Sequence, residues 1–372
     1  VLMTADTVGG VWTHALELAA GLGRRGVHVS LATMGATLTP GQRAQAAALP
    51  RLDLHESRWK LEWMAQPWDD VRRAGDWLQE LEARLRPDLV HLNQFAFGAL
   101  RFSAPTLLVA HSCVLSWWRA VHGERAPATW DAYRQVVRRG LEGADRVGAP
   151  TLAMLQALAR EHHFVRPGLV LSNGRDPASF RSGAKEHAIL AAGRLWDPAK
   201  NLAALQIVAP WLSWPVRVAG ALAPPGEGAS RESVCCSSVG GVRWLGELSQ
   251  QALAAQMARA AIYVLPARYE PFGQSALEAG LAGCALVLGD LRSLREVWGD
   301  AALYVAPGDS GALHAALTRL IDDAPLRARM SRLAHARARH FSPTRMVDAY
   351  LSAYAGMRAG VGLVEMEIPC DS

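Results

Sequence analysis

The sequence predicts an α/β protein of two doubly wound domains, each a parallel sheet covered by helices on both faces. Three observations carry that class. Short aliphatic runs bounded by Gly or Pro recur along the whole chain and read as buried strands. The segments between them are apolar at helical spacing; Val71, Leu78, Leu81 and Leu85, for example, share one helix face. At 372 residues, the chain is too long for one ordinary core. Strands alternating with helices imply parallel pairing with crossover helices. Two such sets imply two domains with a ligand cleft between them.

The first set of strands is predicted at 1–5, 27–33, 89–93, 106–110, 146–149 and 169–172. The second is predicted at 188–192, 216–219, 242–245, 261–265, 284–288 and 302–305. Residues 173–186 are rich in Gly, Ser, Pro and charge and mark the boundary. The division is drawn as 1–173 and 174–342, followed by a helix at 343–357 that returns to the first domain and a tail at 358–372. Residues 221–241 are Gly/Pro/Ser-rich and read as a mobile surface loop.

Composition narrows the class. No apolar run approaches the ~20 residues that span a bilayer, and no secretory leader is legible. Five cysteines form no disulfide or zinc spacing, which fits a reducing cytoplasm. The net charge of +5 is spread along the chain and reads as solvated helix faces. Arg58-Trp59-Lys60, Trp63, Trp68, Arg72-Arg73 and Trp77 would also suit a basic, aromatic face resting on the inner side of a membrane. Trp and Leu at helical spacing are more often core. No nucleic-acid motif accompanies the charge.

The richest local pattern is Glu270-Pro-Phe-Gly-Gln-Ser-Ala-Leu-Glu278, between the strands at 261–265 and 284–288. It reads as a loop and then a short helix over 275–281, stopped by Gly283. Ligands of open α/β sheets bind at the carboxyl ends of strands, and a helix N-terminus offers free amides to an anion. Two carboxylates flanking such amides suit a ligand with hydroxyls beside phosphates.

Other motifs are weighed by position. Gly21-Leu-Gly23-Arg-Arg-Gly26 matches a dinucleotide fingerprint, but it ends a helix instead of opening one. Gly23 and Gly26 therefore read as helix stop and turn. Gly9-Gly10 follows the first strand and precedes that same helix, where backbone can approach a phosphate or sugar. Arg194 and Lys200 follow the first strand of the second set. They are either exposed surface cations or a pair converging on one diphosphate, and their place at a strand's carboxyl end favours the second. His111 ends a strand, as a core, capping or ligand-facing residue. His162-His163 reads as a polar helix end. No Asp-x-Asp pair exists to hold a divalent ion, and no zinc spacing is present.

Together these residues resemble the retaining GT-B glycosyltransferases of family four, the group-one glycosyl transferases, from Thr4 to about Tyr354. The parts occur in the family's order: Gly9-Gly10-Val11 with His14, Asp88 to His91, His111, Asn173-Gly174 with Asp176 and Phe180, Gly193-Arg194-Leu195 with Lys200, Leu245-Gly246, and Glu270-Pro-Phe-Gly273 to Glu278. The resemblance implies two Rossmann-like domains, the first binding the acceptor and the second the nucleotide sugar. It implies that Arg194 and Lys200 hold the diphosphate and that Glu278 accepts from the ribose hydroxyls. Glu270 and the backbone of Phe272, Gly273 and Gln274 would meet the donor sugar, and the amides of Ser275 and Ala276 a phosphate. Gly9 and Gly10 would close on the donor, His111 would contact the transferring sugar, and Leu245-Gly246 would border the base. It further implies retention of anomeric configuration, no metal and no cofactor beyond the donor, a UDP- or GDP-sugar. The acceptor is left as a glycan, a lipid-linked glycan or a small molecule. Arg175 departs from the pattern, which usually has an aliphatic residue there.

Competing readings are a sugar-nucleotide epimerase of similar fold and a nucleotide-sugar-binding protein without turnover. The paired-glutamate motif weighs against the first. The presence of Glu270, Glu278, Arg194, Lys200 and His111 together weighs against the second.

Overall fold

Seven strands of the N-terminal half pair in parallel in the order β3-β2-β1-β4-β5-β6-β7. They are β1 (Leu2–Asp6), β2 (Val29–Met34), β3 (Leu52–Glu56), β4 (Val90–Leu92), β5 (Thr106–Val109), β6 (Arg146–Ala149) and β7 (Leu169–Val170). The computed structural model describes residues 1–223, 238–239, 241–359 and 366. β1 and β2 are buried at every position, as strands covered on both faces must be. β3 was not expected from the sequence. It is an edge strand whose residues are all half-buried or exposed, so Leu52-Asp-Leu-His-Glu56 lacks the apolar run that marks the others.

The second half repeats the plan with β8 (Glu186–Ala192), β9 (Val216–Ala219), β10 (Ser238–Val239), β11 (Val242–Gly246), β12 (Ala260–Leu265), β13 (Ala285–Gly289) and β14 (Leu303–Val305). Their order is β10-β11-β9-β8-β12-β13-β14. All pairings are parallel except β10 with β11. Residues 224–237 and 240 of the expected 221–241 loop lie outside the described residues, as does most of the 358–372 tail.

The chain divides into two compact units. One is Val1–Gly174 with the segment from Pro343, and the other is Arg175–Ser342, so packing places the division one residue after the expected 173/174. The last helix, Pro343–Ala359, belongs to the first unit. Its Met346, Val347, Tyr350, Ala353 and Tyr354 share a core with Trp12, Ala15, Leu18 and Leu22.

That contact explains the false fingerprint. The first helix runs Gly10–Arg24, so Gly23 lies inside it and only Gly26, at φ 83°, makes the turn. A Cβ on Gly21 would lie 2.2 Å from a Val347 methyl, so this glycine admits the last helix.

Sheet order also bears on where ligands could bind. In the first unit the order reverses between β1 and β4, and in the second between β8 and β12. Open α/β sheets bind ligands at such switch points. The loops after β8 and β12 carry Arg194, Lys200 and Glu270.

Candidate functional site

In the second unit the loops on either side of the switch point are stitched together. Asp197 accepts from the Ala199 amide at 3.0 Å and starts a tight turn, Pro198–Lys200. Asn201 follows in a left-handed conformation, φ 55°. Its side-chain amide donates to the Pro266 carbonyl at 2.9 Å and the Pro307 carbonyl at 2.7 Å. The Arg268 amide donates to the Ala199 carbonyl at 2.8 Å. Lys200 is thereby fixed against the loop that carries Glu270.

The two side chains meet. Lys200 Nζ lies 2.6 Å from Glu270 Oε2. Glu270 Oε1 accepts from the Gly273 amide at 3.0 Å and lies 3.5 Å from the Phe272 amide. Burial pushes the Glu270 carboxyl up. The Lys200 charge, its hydrogen bond and the two amides outweigh that and hold it below the ordinary carboxylate value. The carboxylate is therefore ionised at neutral pH beside a fixed cation.

This cluster sits at the start of the helix Gln274–Leu281, one residue earlier than expected. No side chain caps the helix, and its N-cap, Gly273, has φ 89°. A Cβ there would also lie 2.9 Å from Leu294, so glycine is required on both counts. Phe272 is buried edge-to-face on Phe341 with ring centroids 5.4 Å apart. It can offer a ligand backbone only. Gln274, Ser275 and Ala276 form the first turn, with amides of the kind that attract an anion.

Arg194 has its own contacts in the loop after β8. It is half exposed, 3.3 Å from Asp197 Oδ2, with its guanidinium 5.5 Å from the Trp196 ring. Leu245 packs on the core of this unit. Gly246 ends β11 with φ 70°, and its carbonyl accepts from the Gly220 amide at 2.8 Å. Glu278 is buried one turn into the helix, and its Oε1 lies 3.0 Å from Arg175 Nε. The sequence had flagged Arg175 only as a departure; the structure makes it the partner of a predicted site residue.

The first unit holds Gly9, Gly10 and His111. Gly9, φ 91°, precedes the first helix without a side-chain cap. Asp6 fixes the turn by accepting from the Val8 amide at 2.6 Å. The Thr7 hydroxyl lies 2.8 Å from the Ala36 carbonyl and 3.1 Å from the Met34 carbonyl and shares its one proton between them.

His111 follows β5 and is partly exposed. Its Nε2 lies 2.7 Å from Asn93 Oδ1. Asn93 Nδ2 donates to the Thr4 carbonyl at 2.7 Å, so Oδ1 is the acceptor and His111 carries its proton on Nε2. Around it lies a group that motif reading did not assemble. The His14 ring is 4.7 Å from His111, His14 Nε2 is 3.2 Å from the Tyr350 hydroxyl, and His91 Nδ1 is 2.8 Å from the Tyr354 hydroxyl. His14 beside the Gly pair and His91 inside a buried strand are the signals that could have pointed there.

Burial lowers the imidazole pKa to about 4 at His111 and about 3 at His91, and well below the ordinary value at His14. All three are neutral at pH 7, so His111 serves as a hydrogen-bonding group and not a cation. His162, expected as a polar helix end, is buried with Nε2 3.2 Å from Cys113 Sγ and is lowered to about 4. His163 makes the exposed turn at φ 56°.

Stability follows from the sign of these shifts. A histidine depressed in the folded state stabilises fully above its unfolded value, about 6.5. That stability is lost as pH falls toward about 4 and 3. Glu62 acts oppositely: burial raises it to about 7, so acidification relieves its cost. Four imidazoles outweigh one carboxyl, and the melting temperature is expected to fall steadily from pH 7 to pH 5. A flat or rising melting temperature over that range would contradict neutral imidazoles in the folded chain.

Among the described residues no helix is long and apolar enough to cross a membrane. No group of three or more His, Cys, Asp or Glu is placed to hold a metal ion there. Trp59, Trp63, Trp68 and Trp77 pack partly buried against the core of the first unit.

Comparison with known proteins agrees with this layout. Residues 8–179 match the family model Glycosyltransferase Family 4, and residues 213–337 match Glycosyl transferases group 1. A glycogen synthase of Mycobacterium tuberculosis is 36% identical over 123 residues, covering 31% of this chain and 30% of that protein. The O-antigen chain mannosyltransferase B of Escherichia coli is 33% identical over 115 residues, 31% of this chain and 30% of that protein. A phosphatidyl-myo-inositol mannosyltransferase of Mycolicibacterium smegmatis is 30% identical over 173 residues, 42% of this chain and 44% of that protein. The matched stretch thus spans less than half of each relative's length.

Solved structures match over nearly the whole chain. Sucrose-phosphate synthase from Thermosynechococcus elongatus superimposes with a TM-score of 0.78 at 17% identity, covering 96% of this chain and 99% of that one. Anabaena HepE in complex with UDP-glucose gives 0.72 at 16% identity, covering 97% and 99%. At such identities the likeness is one of fold, the GT-B fold of two Rossmann-like units.

Proposed function

The chain belongs to the group 1, family 4 glycosyl transferases, and from that premise we propose that it moves a hexosyl group from a nucleotide-sugar donor to an acceptor. The transfer keeps the anomeric configuration and needs no metal ion. The observation that carries this reading is the Lys200–Glu270 pair, 2.6 Å apart, at the uncapped N-terminus of the helix Gln274–Leu281 beside the switch point of the second sheet. It supplies a cation, a hydroxyl-accepting carboxylate and helix amides in one place.

The chemistry asks for that set. Cleavage of the bond between the anomeric carbon and the phosphate oxygen builds negative charge on the diphosphate and positive charge on the sugar ring. Lys200 and Arg194, with the amides of Ser275 and Ala276, oppose the first charge where it develops. The acceptor hydroxyl attacks from the face the diphosphate leaves and passes its proton to the departing phosphate oxygen. Glu270 and the backbone of Phe272 to Gln274 accept from and donate to the sugar hydroxyls. In the first unit, His111 gives its Nε2 proton to Asn93 and keeps Nδ1 to accept from a sugar hydroxyl, and Gly9 and Gly10 offer backbone to a ligand. In the second unit, Leu245-Gly246 borders the base.

The donor is a UDP- or GDP-sugar, a choice supported by the UDP-glucose complex of the Anabaena neighbour. The acceptor is a glycan or a lipid-linked glycan ahead of a small molecule, on the names of the mannosyltransferase relatives. We place the protein in the cytoplasm, where the buried thiols of Cys113 and Cys284 would stay reduced; peripheral membrane contact is part of the same proposal.

The test is the stereochemistry of the product. Proton NMR of the fresh product should show the donor's anomeric configuration, and the rate should be unchanged by EDTA. An inverted product, or activity lost to EDTA and restored by manganese, would overturn this mechanism.

A further inference from the structure

The second unit begins at Arg175, and this arginine is 3% exposed. A buried guanidinium is costly unless paired and hydrogen-bonded, so its surroundings show what holds it. Its Nε lies 3.0 Å from Glu278 Oε1, and its guanidinium stands 5.1 Å over the Phe180 ring. Its amide donates to the Phe341 carbonyl at 3.0 Å. Main chain, ring and ion pair thus fix both ends of the side chain. Glu278, itself buried on the helix Gln274–Leu281, is the residue through which the nucleotide ribose would be held.

We propose that Arg175 is a positioning residue for the donor: it sets the Glu278 carboxylate in the orientation that accepts from the ribose hydroxyls. This rests on the nucleotide-sugar reading above and deepens it. A glutamate side chain loses rotamer freedom when it is held in one orientation, and an arginine already ordered by its own contacts bears part of that loss before the nucleotide arrives. A carboxylate has about four lone-pair directions, so pairing with a guanidinium does not by itself exhaust its capacity to accept from a diol. An aliphatic residue at 175 would take this partner away.

Calorimetric titration tests it with UDP, or GDP if UDP does not bind, and the 2′,3′-dideoxy form of the same diphosphate. Wild type should prefer the ribose form. Arg175→Met should weaken the ribose form by about tenfold, the scale of one charged hydrogen bond, and leave the dideoxy form within about twofold. Arg175→Lys, which keeps the charge and serves if the methionine variant fails to fold, should show a smaller loss on the ribose form alone. Equal losses on both forms, or none on either, would overturn the role of Arg175 while leaving the donor site standing. A wild type that binds neither UDP nor GDP would instead remove the reading on which the role rests.

Discussion

Lys200→Ala is expected to lower the rate of sugar transfer by roughly 10²–10³, the typical cost of removing one preorganised charge-stabilising group, while the chain remains folded. Two effects act together. The variant removes the cation that faces the diphosphate as the sugar leaves. It also removes the largest influence opposing burial at Glu270, whose carboxylate would keep only the Gly273 and Phe272 amides. Glu270 would then protonate more readily and accept less well from the sugar hydroxyls. The pair is mostly buried, at 17% and 12% side-chain exposure, so a stability loss somewhat below the ~3–5 kcal/mol of a fully buried broken pair is expected as well. Initial rates with donor saturating, beside a melting curve, separate the two. A variant with wild-type rates would remove Lys200 from the site.

Glu278→Ala should have the largest effect on stability. It leaves the Arg175 guanidinium, 3% exposed, without its carboxylate. Breaking one side of a buried pair typically costs about 3–5 kcal/mol, which at this size shifts melting by roughly 2–4 °C for each kcal/mol. Glu278→Gln keeps the volume and one accepting oxygen and should cost less, about 1–2 kcal/mol. Replacing both partners by apolar residues should recover much of the stability, because no buried charge is then stranded. Nucleotide binding would stay weak in that double variant. Melting temperatures for the three variants, read by calorimetry, check the order; equal values for Glu278→Ala and wild type would mean that Arg175 does not depend on this carboxylate.

Much of the layout was legible because parallel strands buried on both faces must be continuous apolar runs. β12 and β13 are buried at every position, and Val264 or Leu286 could hardly stand elsewhere. β3 escaped for the converse reason: an edge strand exposes part of itself, and Asp53 and His55 interrupt its pattern. The Glu270 motif was readable because a turn with φ 89° at Gly273 and a helix start leave a local signature. The Arg175–Glu278 pair spans a hundred residues of sequence, and no local pattern announces it. The same holds for His14, His91, His111, Tyr350 and Tyr354, which come from four strands and helices or the turns after them and meet only through packing. Gly21 gave a misleading signal because a glycine serving helix contact and one serving phosphate contact look alike until position is considered.

The central claim is that the second unit holds a nucleoside diphosphate with Lys200 at its phosphates. Calorimetric titration of UDP, GDP and ADP into wild type and into Lys200→Ala tests it most directly. The account predicts that UDP or GDP, ahead of ADP, binds wild type and that the variant binds the same diphosphate at least about tenfold more weakly. Equal binding to both proteins, or no binding of UDP or GDP to wild type, would contradict it.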